Sequence, residues 1–137
     1  MIASNSEPRY LSLAIVGSDK AEADSTYRLI RNGFTPVFVY FISNAEEAKN
    51  FRQPDVVVVH NRSARDRKLA LKLRQQWSDE VALDCDGNLI ERGTRYLITG
   101  EELNFKGAMN LRARKFEFEI FSGLARLARD RDCRIAA

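Results

Sequence analysis

Pro54-Asp55-Val56-Val57-Val58-Val59-His60 is the stretch on which the reading of this sequence turns. Four consecutive valines show no polar alternation, so the strand they form is expected to be buried on both faces, as in the centre of a parallel sheet. A sheet of that kind needs helices on both sides, and the flanking sequence supplies strand and helix signals in alternation.

On the N-terminal side, Leu11 to Val16 is a short apolar run that ends at Gly17, and Ser18 or Asp19 offers a helix N-cap. Ala23, Tyr27 and Ile30 then recur at helical spacing, Asp19 and Glu22 stand as a capping-box-like pair, and Gly33 can stop the helix. Pro36 to Ile42 is rich in β-branched and aromatic residues, and Ser43 with Glu46 predicts a second capping box ahead of Ala45, Ala48 and Phe51.

On the C-terminal side, Ser63 and Asp66 open a helix whose apolar stripe is Leu69, Leu73 and Trp77, with Arg65, Lys68, Lys72 and Arg74 at polar positions. Asp86-Gly87 between VALDC and NLIERG is a hairpin signal that interrupts the rhythm. Arg95 to Thr99 is another apolar strand and Met109 to Ala113 a weaker one, and Phe118, Phe121, Leu124 and Leu127 are assigned to one face of a final helix. The expected architecture is an α/β fold, a doubly wound five-stranded parallel sheet with an inserted β-hairpin around residues 81–93. One domain spans 11–130, between tails at 1–10 and 131–137.

In such a sheet ligands bind outside the carboxyl ends of the strands, which directs attention to Gly17, Ser18, Asp19, His60, Asn61, Thr99 and Arg114. Here LAIVGSDKAEA, RNGF, NAEEA, PDVVVVH and GAMNLRARKFEF together resemble the receiver domains of bacterial two-component response regulators, over roughly Leu11 to Arg129. The resemblance implies a receiver or flavodoxin-like fold. It also implies that phosphorylation would need an acidic pair, an Asp acceptor, a Ser or Thr and a Lys. In register, Gly17 and Ser18 stand where the acidic pair would be, with Asp19 alongside, and His60 occupies the acceptor position. Thr99 matches the hydroxyl residue and Arg114 falls at the lysine. Mg²⁺ takes hard oxygen ligands, so the resemblance implies a pseudo-receiver without metal, cofactor or phosphoryl switch. The segment from Thr99 to Gly107 is short for this family, which implies a reduced or missing fourth helix.

Composition narrows the functional classes. One histidine rules out a His cluster for metal, or a Ser-His-Asp triad, within a single chain. Neither G-x-G-x-x-G nor a Walker lysine loop occurs. The 22 basic and 19 acidic side chains are interspersed, so a nucleic-acid partner is not expected. Cys85 and Cys133 lack neighbouring metal-ligand partners and read as free thiols. With no signal-peptide pattern and no apolar run near the roughly 20 residues of a membrane span, the expected location is the cytoplasm, with no membrane contact.

The rival enzymatic reading is ALDCDGNLI, which resembles the first motif of haloacid-dehalogenase-type phosphatases, with Asp84 as nucleophile and Asp86 as acid/base near Mg²⁺. Its late position in a short chain argues against it. The expected role is therefore a non-enzymatic signalling domain that acts by protein contact, with a regulatory partner or as a homodimer. Arg112, Arg114, Phe118 and Phe121 are the candidate contact residues.

Overall fold

The valine strand lies at the middle of the sheet. In the computed structural model, which describes residues 11–33, 38–77, 81–83, 86–87, 89–91, 93–112 and 115–130, β3 (Val56–Asn61) is buried at every position. β1 (Ser12–Val16) pairs with it on one side and β6 (Arg95–Gly100) on the other, both parallel, with Val58 opposite Ile15 and Leu97. β2 (Phe38–Ile42) lies outside β1 and β7 (Ala108–Asn110) outside β6, both again parallel. The sheet order is β2-β1-β3-β6-β7. This is the flavodoxin-like arrangement, a doubly wound α/β fold.

Both faces of the sheet carry helices. Leu13, Ile15, Val56, Val58 and Leu97 pack with Ala23 and Ile30 of α1 (Lys20–Gly33) and with Ile120, Leu124 and Leu127 of α4 (Phe116–Asp130). On the other face Ala14, Val57, Val59, Tyr96 and Ile98 pack with Ala48 of α2 (Ala45–Ala48) and with Leu69, Ala70, Leu73 and Trp77 beside or on α3 (Ala64–Gln76). Successive valines of β3 thus serve opposite layers, and full burial of each is worth about 1.5–3 kcal/mol.

Two departures from simple alternation matter for the site. β4 (Val81–Leu83) and β5 (Leu89–Glu91) form a separate antiparallel pair with Asp86 and Gly87 exposed in its turn, which is the inserted hairpin. Between β6 and β7 no helix forms. The connection instead buries Leu103, whose N–H donates to Asn110 Oδ1 at 2.9 Å and whose carbonyl accepts from Asn110 Nδ2 at 3.0 Å.

Several local expectations are corrected. The N-cap of α2 is Asn44, which accepts from the Glu47 N–H, while Ser43 donates through its N–H and hydroxyl to the Glu47 carboxylate; the pattern is displaced by one residue from the Ser43–Glu46 pair. The second strand is described over Phe38–Ile42, Pro36 lying outside the described residues, and the last strand runs Ala108–Asn110 rather than from Met109 to Ala113. In α4, Leu124 and Leu127 are buried but Phe118 is 71% exposed. A spacing of three walks about 60° back around the helix at each step, so residues nine apart fall on opposite sides. The 1–10 and 131–137 tails lie outside the described residues.

Candidate functional site

Gly17 follows β1 and lies against His60, which follows the valines on β3. A Cβ on Gly17 would lie 3.1 Å from His60 Cβ, so the glycine lets the β1–α1 turn close onto the histidine. Asp19 caps α1 by accepting from the Glu22 N–H at 3.2 Å. Glu22 does not close the box back onto Asp19. Its carboxylate lies across the carboxyl edge, where Arg62 donates to it through Nε at 3.1 Å and Nη2 at 2.9 Å.

The same carboxylate approaches His60, whose Nδ1 is 3.2 Å from Glu22 Oε1. The opposite ring nitrogen, Nε2, is 2.8 Å from Thr26 Oγ1, one helical turn along α1. His60 is only 2% exposed, and the Phe116 ring sits 6.1 Å away, centroid to centroid. Nδ1 makes no well-directed hydrogen bond in spite of its distance to Glu22. Burial pushes the imidazole pKa down, and this outweighs the opposing pull of the Glu22 carboxylate. His60 is thus a neutral ring held by Thr26. Thr99, its register partner on β6, is equally buried.

A second carboxylate holds the edge from α3. Asp66 Oδ1 accepts from the Ser18 N–H at 2.9 Å and Oδ2 from the Arg62 N–H at 3.0 Å, which ties the loops after β1 and β3 together. Burial alone would raise its pKa, but the donors from Arg62, Ser18 and Ser63 win and hold the carboxyl below its ordinary value. Asp66 is therefore a charged structural tie, with both oxygens engaged by backbone.

Between α1, β3 and α4 these groups border an open cleft of about 400 Å³, with Thr26, His60, Arg62 and Thr99 on its polar side and Leu29 and Phe116 on its apolar side. Gly17, Ser18, His60 and Thr99 are thus brought together, with Asp19 at the helix start beside them. Arg114 lies outside the described residues. Among the described residues, no group of three or more His, Cys, Asp or Glu side chains is placed to hold a metal ion. Asp84 also lies outside the described residues, and Asp86 belongs to the turn of the separate two-stranded hairpin.

Of the contact residues proposed from sequence, Phe118 is exposed, Phe121 packs partly into the core, and Arg112 pairs with Glu119 at 2.7 Å. The roles of Thr26 and Arg62 were not legible, nor was the tie made by Asp66. One signal for Asp66 was present. It precedes Leu69, Ala70 and Leu73 by three, four and seven residues, which puts it on the buried stripe of α3, and a buried carboxylate must find donors.

No helix among the described residues is long and apolar enough to cross a membrane. No protein-family model, curated protein or solved structure matches this chain.

Proposed function

We propose that this chain is a receiver-like regulatory domain of bacterial type that has lost the phosphoryl switch and works in the cytoplasm through protein contacts, with a signalling partner or with a second copy of itself. The observation that carries this reading is the state of His60. At the position where a receiver holds its acceptor carboxylate, a buried neutral imidazole is bonded to Thr26 and sits beside the Glu22–Arg62 pair. The acids nearby are already engaged, Asp66 with two backbone amides and Glu22 with Arg62. A hard divalent cation would have to compete with those bonds for its oxygen ligands. The contact surface proposed from sequence is the α4 side, where Phe118 and Arg112 are exposed.

Intact-mass spectrometry after incubation with acetyl phosphate, with and without Mg²⁺, tests the loss of the switch. An unchanged mass is expected, and a Mg²⁺-dependent phosphoryl adduct overturns the reading. Turnover of a small phosphate ester that is abolished by Asp84→Asn would put the haloacid-dehalogenase chemistry in its place.

A further inference from the structure

The solvent face of α3 carries an unusual charge distribution. Its buried positions are Asp66, Leu69, Ala70 and Leu73. At about 100° per residue, the opposite side of the helix is centred on Ala64, Leu71 and Gln75. Arg65, Lys68 and Lys72 flank that strip on one side, and Arg67 and Arg74 flank it on the other. All but Arg74 are exposed, and Leu71 is 39% exposed at the centre. The sole acid of the helix, Asp66, is buried and spent on the two loops. None of the five cations is ion-paired with a described residue; Asp79 and Glu80, which follow in sequence, lie outside the described residues.

The rows of charge are repulsive within the helix. Arg65 and Lys68 are three apart, Lys68 and Lys72 four apart, and like charges at these spacings disfavour a helix. Arg74 is also partly immobilised, since its guanidinium stacks over the Phe105 ring at 5.2 Å and its Nε is buried without a hydrogen-bond partner. A cation fixed in this way loses less side-chain entropy on pairing with a carboxylate than a free one does.

We propose that the outward face of α3 docks an acidic amphipathic helical segment of a partner protein, with Leu71 as the apolar centre and the two basic rows pairing its carboxylates. The proposal rests on the protein-contact reading above but places the contact on a face other than α4. Charge complementarity selects an acidic occupant, and the uncharged strip between the rows selects an amphipathic one. A nucleic-acid duplex fits less well. It is wider than one helix and would extend over α2, which packs beside α3 and adds no net positive charge there, since Lys49 is paired with Glu46 at 3.1 Å.

The test is fluorescence anisotropy of the intact chain with three probes: a Glu/Leu amphipathic peptide of about 20 residues, the same peptide with Gln for Leu, and a DNA duplex of matched charge. The amphipathic peptide is expected to bind best. Lys68→Glu with Lys72→Glu weakens it about tenfold, Leu71→Ala weakens it about threefold, and Arg31→Glu on α1, across the sheet, leaves it unchanged. Circular dichroism checks that each variant is folded. No peptide binding, or binding indifferent to the α3 variants, overturns the proposal. Loss of binding in Phe118→Ser alone moves the contact to α4 and overturns the α3 site while leaving the protein-contact reading standing. Tighter binding of the duplex overturns both. Self-association that disappears with the α3 variants replaces the acidic segment with a second copy of this chain.

Discussion

Over β1 and β3 the loops at the carboxyl edge are held by carboxylates, whereas over β6 and β7 they are held by a glycine and an asparagine amide. On the first side Asp66 spans the loops through the Ser18 and Arg62 amides, and Glu22 takes the Arg62 guanidinium. On the second side Gly100 turns the chain with φ of 100° and Asn110 brackets Leu103 with two hydrogen bonds. The β1–β3 half is thus electrostatic, with Asp66 and His60 buried in it, so it should answer to protonation. The β6–β7 half is neutral and steric, so it should answer to volume and to backbone conformation.

The largest effect is expected where volume cannot be accommodated. A Cβ on Gly100 would lie 2.2 Å from the Asn61 carbonyl oxygen, at the end of the central strand, and positive φ adds strain for any L side chain. Gly100→Ala should cost about 4 kcal/mol, from strain and overpacking together. Urea unfolding would show it as a large drop in midpoint, and a drop under about 1 kcal/mol would mean that this half of the edge yields more easily than its geometry implies. Next comes Leu103→Ala. Leu103 is 3% exposed and fills the layer that a helix between β6 and β7 would cover, so its truncation should cost about 3 kcal/mol, independent of pH between 5 and 8. A much smaller loss would make the connection a loose loop rather than part of the core.

On the electrostatic half, Asp66→Asn keeps the shape but turns one acceptor into a donor that faces a backbone N–H. The expected cost is about 2 kcal/mol at neutral pH, by leaving a buried donor unsatisfied. Because the folded carboxyl titrates below its ordinary value, its stabilisation is present above pH about 4 and is lost as pH falls further. The wild-type and variant curves should therefore converge in acid. Parallel curves would show that the Asp66 tie draws nothing from its charge.

The two halves also differ in how far they could be read from sequence. The valine run, the strand–helix alternation and the Asp86-Gly87 hairpin are local patterns, and they yielded the sheet and its inserted hairpin, whereas the absent helix between β6 and β7 was expected only from the family resemblance. His60 and Thr99 could be brought together because they end neighbouring parallel strands. The bond that holds His60 comes from Thr26, 34 residues away, at 2.8 Å, and the carboxylate beside the ring from Glu22, 38 residues away, at 3.2 Å, and no local pattern encodes either. Glu22 read as half of a capping box because its spacing from Asp19 fits one. What the spacing cannot say is that Arg62, delivered by the next strand, competes for the same carboxylate and wins.

The smallest effect is the most discriminating, because the chain has a single histidine. His60 titrates below its ordinary value of 6.5 when folded, since burial outweighs the Glu22 carboxylate. Above that value both the folded and the unfolded histidine are neutral, and the folded state is fully favoured. As pH falls through it, the unfolded chain takes up a proton that the folded chain refuses, so stability declines until the folded pKa is reached. The slope between pH about 7 and 5 should stay below about 1.4 kcal/mol per pH unit, the limit for one proton, and should vanish in His60→Gln. The imidazole C–H resonance in an NMR titration reads the same equilibrium directly. Glu22→Gln removes the charge that opposes burial, so it should move the midpoint lower still. A wild-type midpoint above 6.5 would reverse the ranking of the two forces. It would make His60 and Glu22 an ion pair that weakens as pH rises through the neutral range, unlike the Asp66 tie.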